Sequence, residues 1–174
     1  LDAPFPEEFN RRVIGQLAAI HFAPTAMAKA ALERDAIPVL GGRIVVTGNT
    51  VIDALQFAAA RSKTAPSKNE AVAIAQTWKF KSEHRVILVT GHRRENFGKP
   101  FQDFCHALRD VAAAHPDVML VYPVHLNPNV QQPVREVLDS VPNVLLAPAM
   151  DYPDFVSLMS LCDLVVTDSG GVQE

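Results

Sequence analysis

The segment Arg85-Val-Ile-Leu-Val-Thr-Gly-His-Arg-Arg-Glu-Asn-Phe-Gly-Lys-Pro-Phe101 decides how the rest of the chain is interpreted. It opens with an apolar run over residues 86–89, which is the pattern of a strand buried on both faces. A polar, basic stretch begins at Gly91, and a helix is predicted after Pro100. Ligands bind to open α/β sheets in the loops that follow the carboxyl ends of strands. The segment therefore predicts a strand, a candidate binding loop and a helix in succession.

The alternation of strand and helix continues from this segment to the end of the chain. Strands are predicted over residues 86–90, 118–122, 144–146 and 164–167, and helices over residues 101–114 and 130–138 and after the capping residue Asp151. The first of these helices is predicted to turn one apolar face inward, formed by Phe101, Phe104, Cys105, Leu108, Val111 and Ala112. Strands separated by helices of this length are typical of parallel βαβ units. The sequence thus predicts an α/β fold with a parallel sheet.

An acidic pair marks the first predicted helix. Pro6 suits the start of a helix, and Glu7 and Glu8 follow in its first turn. Two carboxylates at a helix N-terminus complement the helix dipole, so the pair by itself favours a structural role over a catalytic one.

Short elements are predicted between this helix and Arg85. They are a strand over residues 21–25, a helix from the cap Thr25 through Leu32, a strand over 43–47, a helix that begins after Gly48 with Asn49 or Thr50 as its cap, and a helix around 70–78. The remaining residues between 61 and 84 are predicted to be irregular, because Ser, Thr, Pro and Asn recur there.

Composition and charge limit the kinds of protein that the chain can be. The 174 residues are 48% hydrophobic and 20% charged, which predicts a sizeable packed core. The net charge of −3 gives no basic surface for nucleic acid, and no apolar run approaches the ~18 residues of a membrane span. Cys105 and Cys162 lie on predicted apolar faces without a CxxC pairing, as core thiols do in a reducing compartment. We predict a soluble, cytoplasmic protein that binds neither nucleic acid nor membrane.

Both ends of the chain look cut. The chain begins at Leu1 rather than at methionine, and it stops at Glu174, shortly after a Gly-Gly turn that predicts a helix. We therefore expect these residues to be a piece of a larger protein.

Four polar loops follow the predicted strands and would meet on one edge of a parallel sheet. They cover residues 91–94, 125–127, 150–152 and 168–171. The guanidinium and imidazole groups of the first loop would suit a phosphorylated anion, and the glycines of the last would let a phosphate approach the backbone and a helix N-terminus. A solvated surface loop with paired arginines, and a turn that only reverses the chain, explain the same residues equally well. The residue types alone leave both interpretations open.

Several other chemistries find no support in the sequence. The six histidines show neither HxH nor HExxH spacing, and His106 stands beside Cys105 without a matching pair, so we predict no metal site. Ser169 lacks the GxSxG elbow of a hydrolase. The absence of a GxGxxG motif gives no support for a nicotinamide, and we predict no cofactor.

Five motifs become specific in combination. They are Pro-Glu-Glu-Phe-Asn-Arg at residues 6–11, Gly-Asn-Thr-Val-Ile-Asp-Ala at 48–54, Thr-Gly-His-Arg-Arg-Glu-Asn-Phe-Gly at 90–98, Tyr-Pro-Val-His-Leu-Asn-Pro-Asn-Val at 122–130 and Thr-Asp-Ser-Gly-Gly-Val-Gln-Glu at 167–174. Together, and in this order, they closely resemble the bacterial non-hydrolysing UDP-N-acetylglucosamine 2-epimerases. The resemblance spans nearly the whole chain.

The resemblance implies a fold and a reaction. The implied fold has two Rossmann-like domains facing each other across a nucleotide-sugar cleft, in a glycosyltransferase-B-like architecture. Residues 1–47 would be the tail of the N-terminal domain, and residues 48–174 would be most of the C-terminal, UDP-binding domain. The implied reaction interconverts UDP-GlcNAc and UDP-ManNAc for cell-surface polysaccharide biosynthesis, in a homodimer and without NAD or metal. The C2 proton is removed and UDP is expelled, and UDP then adds back to the glycal with a proton on the opposite face.

The resemblance also implies roles for individual residues. Glu7 matches a catalytic carboxylate, which the weakly acidic C2 proton requires, and His92 matches the active-site histidine that contacts the substrate near its diphosphate. The other matched positions are Ser169, Gly170 and Gly171 for the phosphates, Phe155 and Met150 for the uridine, and Arg93 and His125 for a second UDP-GlcNAc that activates some members allosterically. Met150 stands where the family often has a polar residue, so we expect only a backbone contact to the uracil there.

Other parts of the implied active site would lie outside the sequence. A Gly-Arg loop and two further acids would precede Leu1, and a ribose-binding glutamate and a later arginine would follow Glu174. We therefore expect the segment alone to be catalytically inactive, with weakened UDP binding.

Three alternatives compete with the epimerase interpretation. They are a nucleotide-sugar glycosyltransferase of the same two-domain shape, a hydrolysing epimerase that releases free ManNAc, and a non-catalytic UDP-sugar-binding module. A Ser-Gly-Gly loop suits a glycosyltransferase equally well, whereas the Gly-His-Arg-Arg-Glu and Pro-Glu-Glu motifs favour the epimerase. Product analysis with an acceptor sugar, assay of free sugar, and UDP binding without C2 exchange would distinguish them.

Overall fold

The chain divides into two compact units, Leu1–Ala54 and Leu55–Glu174. The computed structural model describes residues 5–35, 41–79 and 84–173. The domain limits implied by the resemblance, 1–47 and 48–174, stay a prediction, and their outer ends at residues 1–4 and 174 lie outside the described residues.

The first unit contains a pair of parallel strands and two helices. The elements are α1 (Glu7–Leu17), β1 (Ile20–Ala23), α2 (Ala26–Arg34) and β2 (Arg43–Val46). The two strands pair in parallel, with Ile20 opposite Arg43 and Ala23 opposite Val46. All four predicted elements are confirmed, and Glu7 and Glu8 stand in the first turn of α1.

The predicted strand over residues 21–25 ends two residues early. The hydroxyl of Thr25 accepts the backbone N–H of Ala28 at 3.0 Å and so caps α2. A residue whose side chain caps a helix already belongs to the helix entry, and Pro24 before it has no N–H to donate to a sheet. The prediction of Thr25 as a cap is therefore correct, and the strand ends at Ala23.

Two further helices, α3 (Thr50–Thr64) and α4 (Glu70–Lys79), follow β2. The side-chain oxygen of Asn49 accepts the backbone N–H of Val51 at 3.2 Å, which identifies Asn49 as the cap of α3. The prediction that residues 61–64 are irregular is wrong. Ser62 and Thr64 donate their hydroxyls to helix carbonyls three residues earlier, at 2.9 Å each, so these polar residues continue the helix.

The second unit is built on a four-stranded parallel sheet. Its strands are β3 (Arg85–Thr90), β4 (Val118–Pro123), β5 (Val144–Ala147) and β6 (Leu164–Thr167), in the order β5-β4-β3-β6. The four strands occur where the sequence predicts them, with ends that shift by one residue. The parallel α/β fold is confirmed.

After β3, the helices of the second unit are α5 (Lys99–Ala114), α6 (Pro128–Leu138), α7 (Tyr152–Leu161) and the short α8 (Gly170–Gln173). Both α5 and α6 begin two residues before their predicted starts. In each, a proline stands in the first turn, where no backbone N–H is needed for the helix. Asn127 caps α6 by accepting the backbone N–H of Asn129 at 3.0 Å.

Helices cover both faces of the sheet. One core cluster joins strand residues to α5 and α6, and includes Val89, Leu120, Phe101, Cys105, Val130 and Val134. The other joins the opposite strand residues to α4 and α7, and includes Val86, Leu88, Val121, Val72, Ala75 and Leu158. This arrangement explains why the strands are apolar without alternation. One predicted inward residue of α5, Val111, is 41% exposed, because the buried stripe runs through Leu108 and Ala112 instead.

The cysteines behave as structural thiols. Cys105 is fully buried and Cys162 is half-buried, and neither forms a disulfide. Burial raises the pKa of Cys105 to about 11 and that of Cys162 to about 12, so both thiols stay protonated at neutral pH. Within the described residues, no helix combines the length and apolar character that crossing a bilayer requires.

Candidate functional site

Loops from three neighbouring strands meet at one edge of the sheet. Because β4, β3 and β6 are parallel, the loops after them leave from the same edge. The imidazoles of His92 and His125 stack with centroids 4.9 Å apart and planes 5° from parallel, and Asp168 after β6 bonds to the loop after β3. Three of the four loops predicted to converge are therefore in contact. No described contact joins the fourth, residues 150–152, to them.

The carboxylate of Asp168 holds the loop after β3, residues 91–96, which we call the basic loop. It accepts the backbone N–H of Arg93 at 2.8 Å and that of His92 at 3.1 Å. It also accepts the side-chain amide of Asn96 at 3.2 Å, and the backbone N–H of Asp168 donates to the carbonyl of Thr90. The basic loop is thus tied to the end of β6 by a charge-assisted set of hydrogen bonds.

The inner side of the basic loop rests on buried aromatic groups. The hydroxyl of Tyr122 donates to the carbonyl of Gly91 at 2.5 Å, and burial holds the pKa of that phenol above its ordinary value. A Cβ at position 91 would lie 3.1 Å from the ring of Phe104. A side chain at position 91 would therefore press on this ring, which must shift by a few tenths of an ångström to admit it.

Basic side chains of the loop point to solvent. His92, Arg93 and Arg94 are all exposed. Arg93 lies 4.0 Å from Glu95, a surface pair that holds the guanidinium only weakly. Arg94 forms no ion pair with any described residue. These groups remain available for an anion such as a phosphate.

One ring of the histidine stack, that of His125, accepts a hydrogen bond from the backbone. Nδ1 of His125 accepts the backbone N–H of Asn127 at 3.1 Å. A neutral imidazole that accepts at Nδ1 carries its proton on Nε2, so the hydrogen bond fixes the tautomer of His125. The sequence-based roles of His92 and His125 were separate, and the structure brings the two rings together.

The turn after β6 carries the residues predicted to bind phosphate. Ser169 donates its backbone N–H to the hydroxyl of Thr167 at 3.0 Å, and α8 starts at Gly170. A Cβ at Gly170 or Gly171 would meet nothing within 4 Å, and neither residue has a positive φ. The described chain itself thus places no demand for glycine at these two positions, in contrast to Gly91.

Met150 lies just before the cap of α7, and Phe155 lies in the first turns of that helix. Both are half-buried and pack against the core cluster on the α4 and α7 face. Asp151 caps α7 by accepting the backbone N–H of Asp154 at 3.0 Å, and the carboxylate of Asp154 accepts the hydroxyl of Ser67. The connection between α3 and α4 therefore supports this turn.

The predicted catalytic carboxylate, Glu7, lies in the first unit. It is exposed and makes no hydrogen bond or ion pair within the described residues, whereas Glu8 bonds to Arg11 at 2.6 Å and to Arg12 at 2.7 Å. The hydrogen bonds from Arg11 and Arg12 lower the pKa of Glu8 from 4.5 to about 2. Of the acidic pair, Glu8 is committed to local ion pairs and Glu7 is the one with a free side chain.

Two cavities lie apart from the basic loop. One, of about 310 Å³, is lined by residues of α4 such as Ile74 and Trp78. The other, of about 320 Å³, lies beside α6 and is lined by Leu126, Arg135 and Leu146 among others. Across residues 5–35, 41–79 and 84–173, no three His, Cys, Asp or Glu side chains group closely enough to hold a metal ion.

The family comparison decides the identity of the chain. The family model described as UDP-N-acetylglucosamine 2-epimerase matches residues 1–174. The chain belongs to the UDP-N-acetylglucosamine 2-epimerase family. The resemblance inferred from the five motifs is thereby confirmed.

Individual epimerases are similar over the whole chain. The UDP-N-acetylglucosamine 2-epimerase of Salmonella typhimurium is 49% identical over 175 residues, and that of Escherichia coli (strain K12) is 47% identical over 175 residues. Each match covers 100% of this chain and 46% of the relative, so the chain spans about half the length of these epimerases. The crystal structure of UDP-GlcNAc 2-epimerase from Neisseria meningitidis bound to UDP-GlcNAc is 39% identical with a TM-score of 0.83, covering 99% of this chain and 45% of that one. The fold is that of these glycosyltransferase-B-like epimerases.

Sequence reasoning missed the residues that hold the epimerase-family motif Gly-His-Arg-Arg in place. Asp168 and Asn96 both stand within quoted motifs, yet no role was predicted for either. Tyr122 was predicted only as the end of a strand. One signal was available: an aspartate directly after an apolar strand stands where parallel strands bring loops together.

Proposed function

We propose that the protein containing this chain interconverts UDP-GlcNAc and UDP-ManNAc by removing the C2 proton, expelling UDP and adding it back. The observation that carries the proposal is the basic loop, held by Asp168 beside the open turn at Ser169–Gly171. The family match supports it, as does the relative from Neisseria meningitidis, which was solved with UDP-GlcNAc. The chain spans about half the length of these relatives, so the activity is proposed for the whole protein that contains it.

The diphosphate of the substrate would be bound by the basic loop and the turn after β6. His92 offers an exposed donor group on one side, and Ser169 offers a hydroxyl on the other. Negative charge grows on the UDP as it leaves C1, and preoriented cationic donors stabilise that charge in the transition state. The open space at Gly170 and Gly171 lets a phosphate approach the backbone.

The uridine would lie towards Phe155 and Met150. The ring of Phe155 offers an apolar surface for the base, and the thioether of Met150 offers no strong hydrogen bond. The uracil contact at position 150 is therefore assigned to the backbone.

Glu7 would exchange the proton at C2. Its carboxylate has no partner within the described residues, so it is available to act as base in one direction and acid in the other. No step of the elimination and re-addition transfers a hydride, so the proposed route needs no NAD, and that it needs no metal is implied by the family resemblance.

A second UDP-GlcNAc would bind at Arg93 and His125 and activate the enzyme. The stack of His125 on His92 supports this, because a ligand that moves one ring must also move the other.

The proposal also covers the cellular location of the protein and the pathway that it serves. We assign the protein to the cytoplasm, which two core thiols without a disulfide support, and to the supply of precursors for cell-surface polysaccharide. The homodimer rests on the family resemblance and is tested by light scattering coupled to size exclusion. A monomer at enzyme-assay concentrations would contradict it.

The test of the proposed function is a proton NMR time course of UDP-GlcNAc in D2O. The protein is the product of the complete reading frame that contains this chain. Loss of the C2 proton signal together with appearance of UDP-ManNAc is expected, and Glu7→Gln is expected to abolish both. Free ManNAc would indicate a hydrolysing epimerase, and UDP binding without exchange would indicate a binding module.

A further inference from the structure

The carboxylate of Asp168 accepts hydrogen bonds from the basic loop and pairs with no described basic side chain. Its carboxylate accepts from the backbone N–H groups of His92 and Arg93 and from the side chain of Asn96. No ion pair joins it to any described lysine, arginine or histidine, and it is half-buried. A carboxylate satisfied in this way is a fixed anchor for the backbone that surrounds it.

A second set of contacts holds the opposite side of the loop. Tyr122 donates to the carbonyl of Gly91, and Phe104 packs where a side chain at 91 would stand. The peptide between Gly91 and Arg93 is therefore held at its carbonyl by a buried phenol and at its N–H groups by a carboxylate. Groups of the chain itself therefore hold the loop from both sides.

This arrangement limits how an anion can bind. The backbone N–H groups of His92 and Arg93 already donate to Asp168, so they are not free to surround a phosphate. An anion that reaches the loop must meet the side chains of His92 and Arg93 instead. Because the backbone under these side chains is fixed beforehand, less ordering is needed when the anion binds.

We propose that Asp168 is a positioning residue, which fixes the backbone of His92 and Arg93 so that their side chains bind a nucleoside diphosphate. The nature of the ligand rests on the proposed function, whereas the hold of Asp168 on the loop does not. Asp168 itself touches no substrate in this proposal. It acts through the orientation of His92, whose ring it sets against that of His125.

The test compares two substitutions of Asp168 in the product of the complete reading frame. Asp168→Ala removes all three acceptor contacts, and Asp168→Asn keeps one oxygen acceptor and loses the charge. The dissociation constant of UDP is measured by calorimetry, and the ring signals of His92 and His125 are followed in histidine-labelled protein. Asp103→Asn serves as the control, because this exposed carboxylate on the surface of α5 pairs with Lys99 and with no other described residue.

We expect Asp168→Ala to weaken UDP binding about tenfold and to abolish the mutual ring shielding of the histidine stack. Asp168→Asn should fall between Asp168→Ala and the wild type, and Asp103→Asn should match the wild type within about twofold. Unchanged UDP affinity and unchanged ring signals in folded Asp168→Ala would overturn the proposal. If Asp168→Ala does not fold, the same two readouts on Asp168→Asn decide.

The same measurements distinguish failure of the proposed function from failure of the positioning role. If the wild type does not bind UDP, the proposed ligand is wrong, and the assignment of Asp168 to a diphosphate site is overturned with it. The ring signals still report whether Asp168 holds the loop, because they require no ligand. Loss of UDP binding in the variant with unchanged ring signals would overturn the positioning role alone.

Discussion

The imidazole of His92 lies flat against that of His125, with ring centroids 4.9 Å apart and planes 5° from parallel. The two residues come from the ends of neighbouring strands, β3 and β4. One was predicted to contact the substrate and the other to contact an allosteric ligand, so their contact gives the two proposed sites a shared boundary. A change of position in one ring necessarily changes the surroundings of the other.

The stack predicts that His125 contributes to UDP binding at the substrate site through the ring of His92, in addition to its proposed contact with a second UDP-GlcNAc. His125→Ala removes the ring against which His92 rests, and we expect the dissociation constant of UDP to rise about two- to tenfold, the range of a stacked aromatic pair. Calorimetric titration measures it. His106→Ala, at an exposed position on α5, is the control and should bind UDP as the wild type does. Equal affinities in all three proteins would contradict the prediction.

Of the neighbouring acids, Glu7 is predicted to be needed for activity and Glu8 for stability. The low pKa of Glu8, about 2 against an ordinary 4.5, comes from its bonds to Arg11 and Arg12. A carboxylate whose pKa is lowered by folding stabilises the fold at higher pH. Its contribution is fully present above about pH 4.5, and it is lost as the pH falls towards about 2.

Denaturant unfolding at a series of pH values measures this effect. Glu8→Gln should be less stable than the wild type at pH 7, and the difference should disappear at the acid end. Glu7→Gln should keep the stability of the wild type and lose epimerase activity. A Glu7→Gln protein that is destabilised in the same pH-dependent way would contradict the assignment of separate roles.

Substitution by alanine is predicted to lower the stability at Gly91 and to leave it almost unchanged at Gly170. Gly91→Ala brings a methyl group to 3.1 Å from the ring of Phe104 and should lower the free energy of unfolding by about 1–3 kcal/mol. Gly170→Ala meets no atom within 4 Å, so its stability should change by less than about 0.5 kcal/mol. If the space at Gly170 serves a phosphate, Gly170→Ala should nevertheless weaken UDP binding. Thermal unfolding and UDP titration of both variants test the pair.

Asn143 is predicted to be the most sensitive polar residue of the described core. Its side-chain amide donates to the carbonyls of Ala112, His115 and Val118 at 2.8–3.1 Å, and so joins the end of α5 to the start of β4. Asn143→Ala should lower the free energy of unfolding by about 2–4 kcal/mol, because buried carbonyls lose their donor. The exposed Asn129, which has no side-chain hydrogen bond within the described residues, supplies the control Asn129→Ala. Urea unfolding that does not distinguish the two variants would refute this.

The strands could be predicted from the sequence because their signal is local. The run at residues 86–89 is apolar on both faces and is followed at once by Gly91, and the same pattern recurs at each later strand. The true end of α3 could not be read in this way. Ser62 and Thr64 resemble loop residues in composition, and only their hydrogen bonds to the helix backbone show that they belong to the helix.

The contacts that hold the basic loop could not be predicted, because they join residues that lie far apart in the sequence. Asp168 lies 75 residues from Arg93 in sequence and meets it only because Thr90 pairs with Thr167 in the sheet. The strand order, which is not written in any local pattern, decides this pairing. The position of Glu7 in the first turn of α1 was predictable, but its role in the reaction remains a prediction.

The order of the strands has one further consequence. After β3 the chain builds outward through β4 and β5, and it then crosses back to add β6 on the other side of β3. The segments that leave β3 and β6 consequently start on adjacent strands, at the position where the strand order reverses, and ligands of open α/β sheets bind at such positions. The strand order therefore places the basic loop beside the turn after β6, where Asp168 can hold it and where the side chain of His92 is exposed.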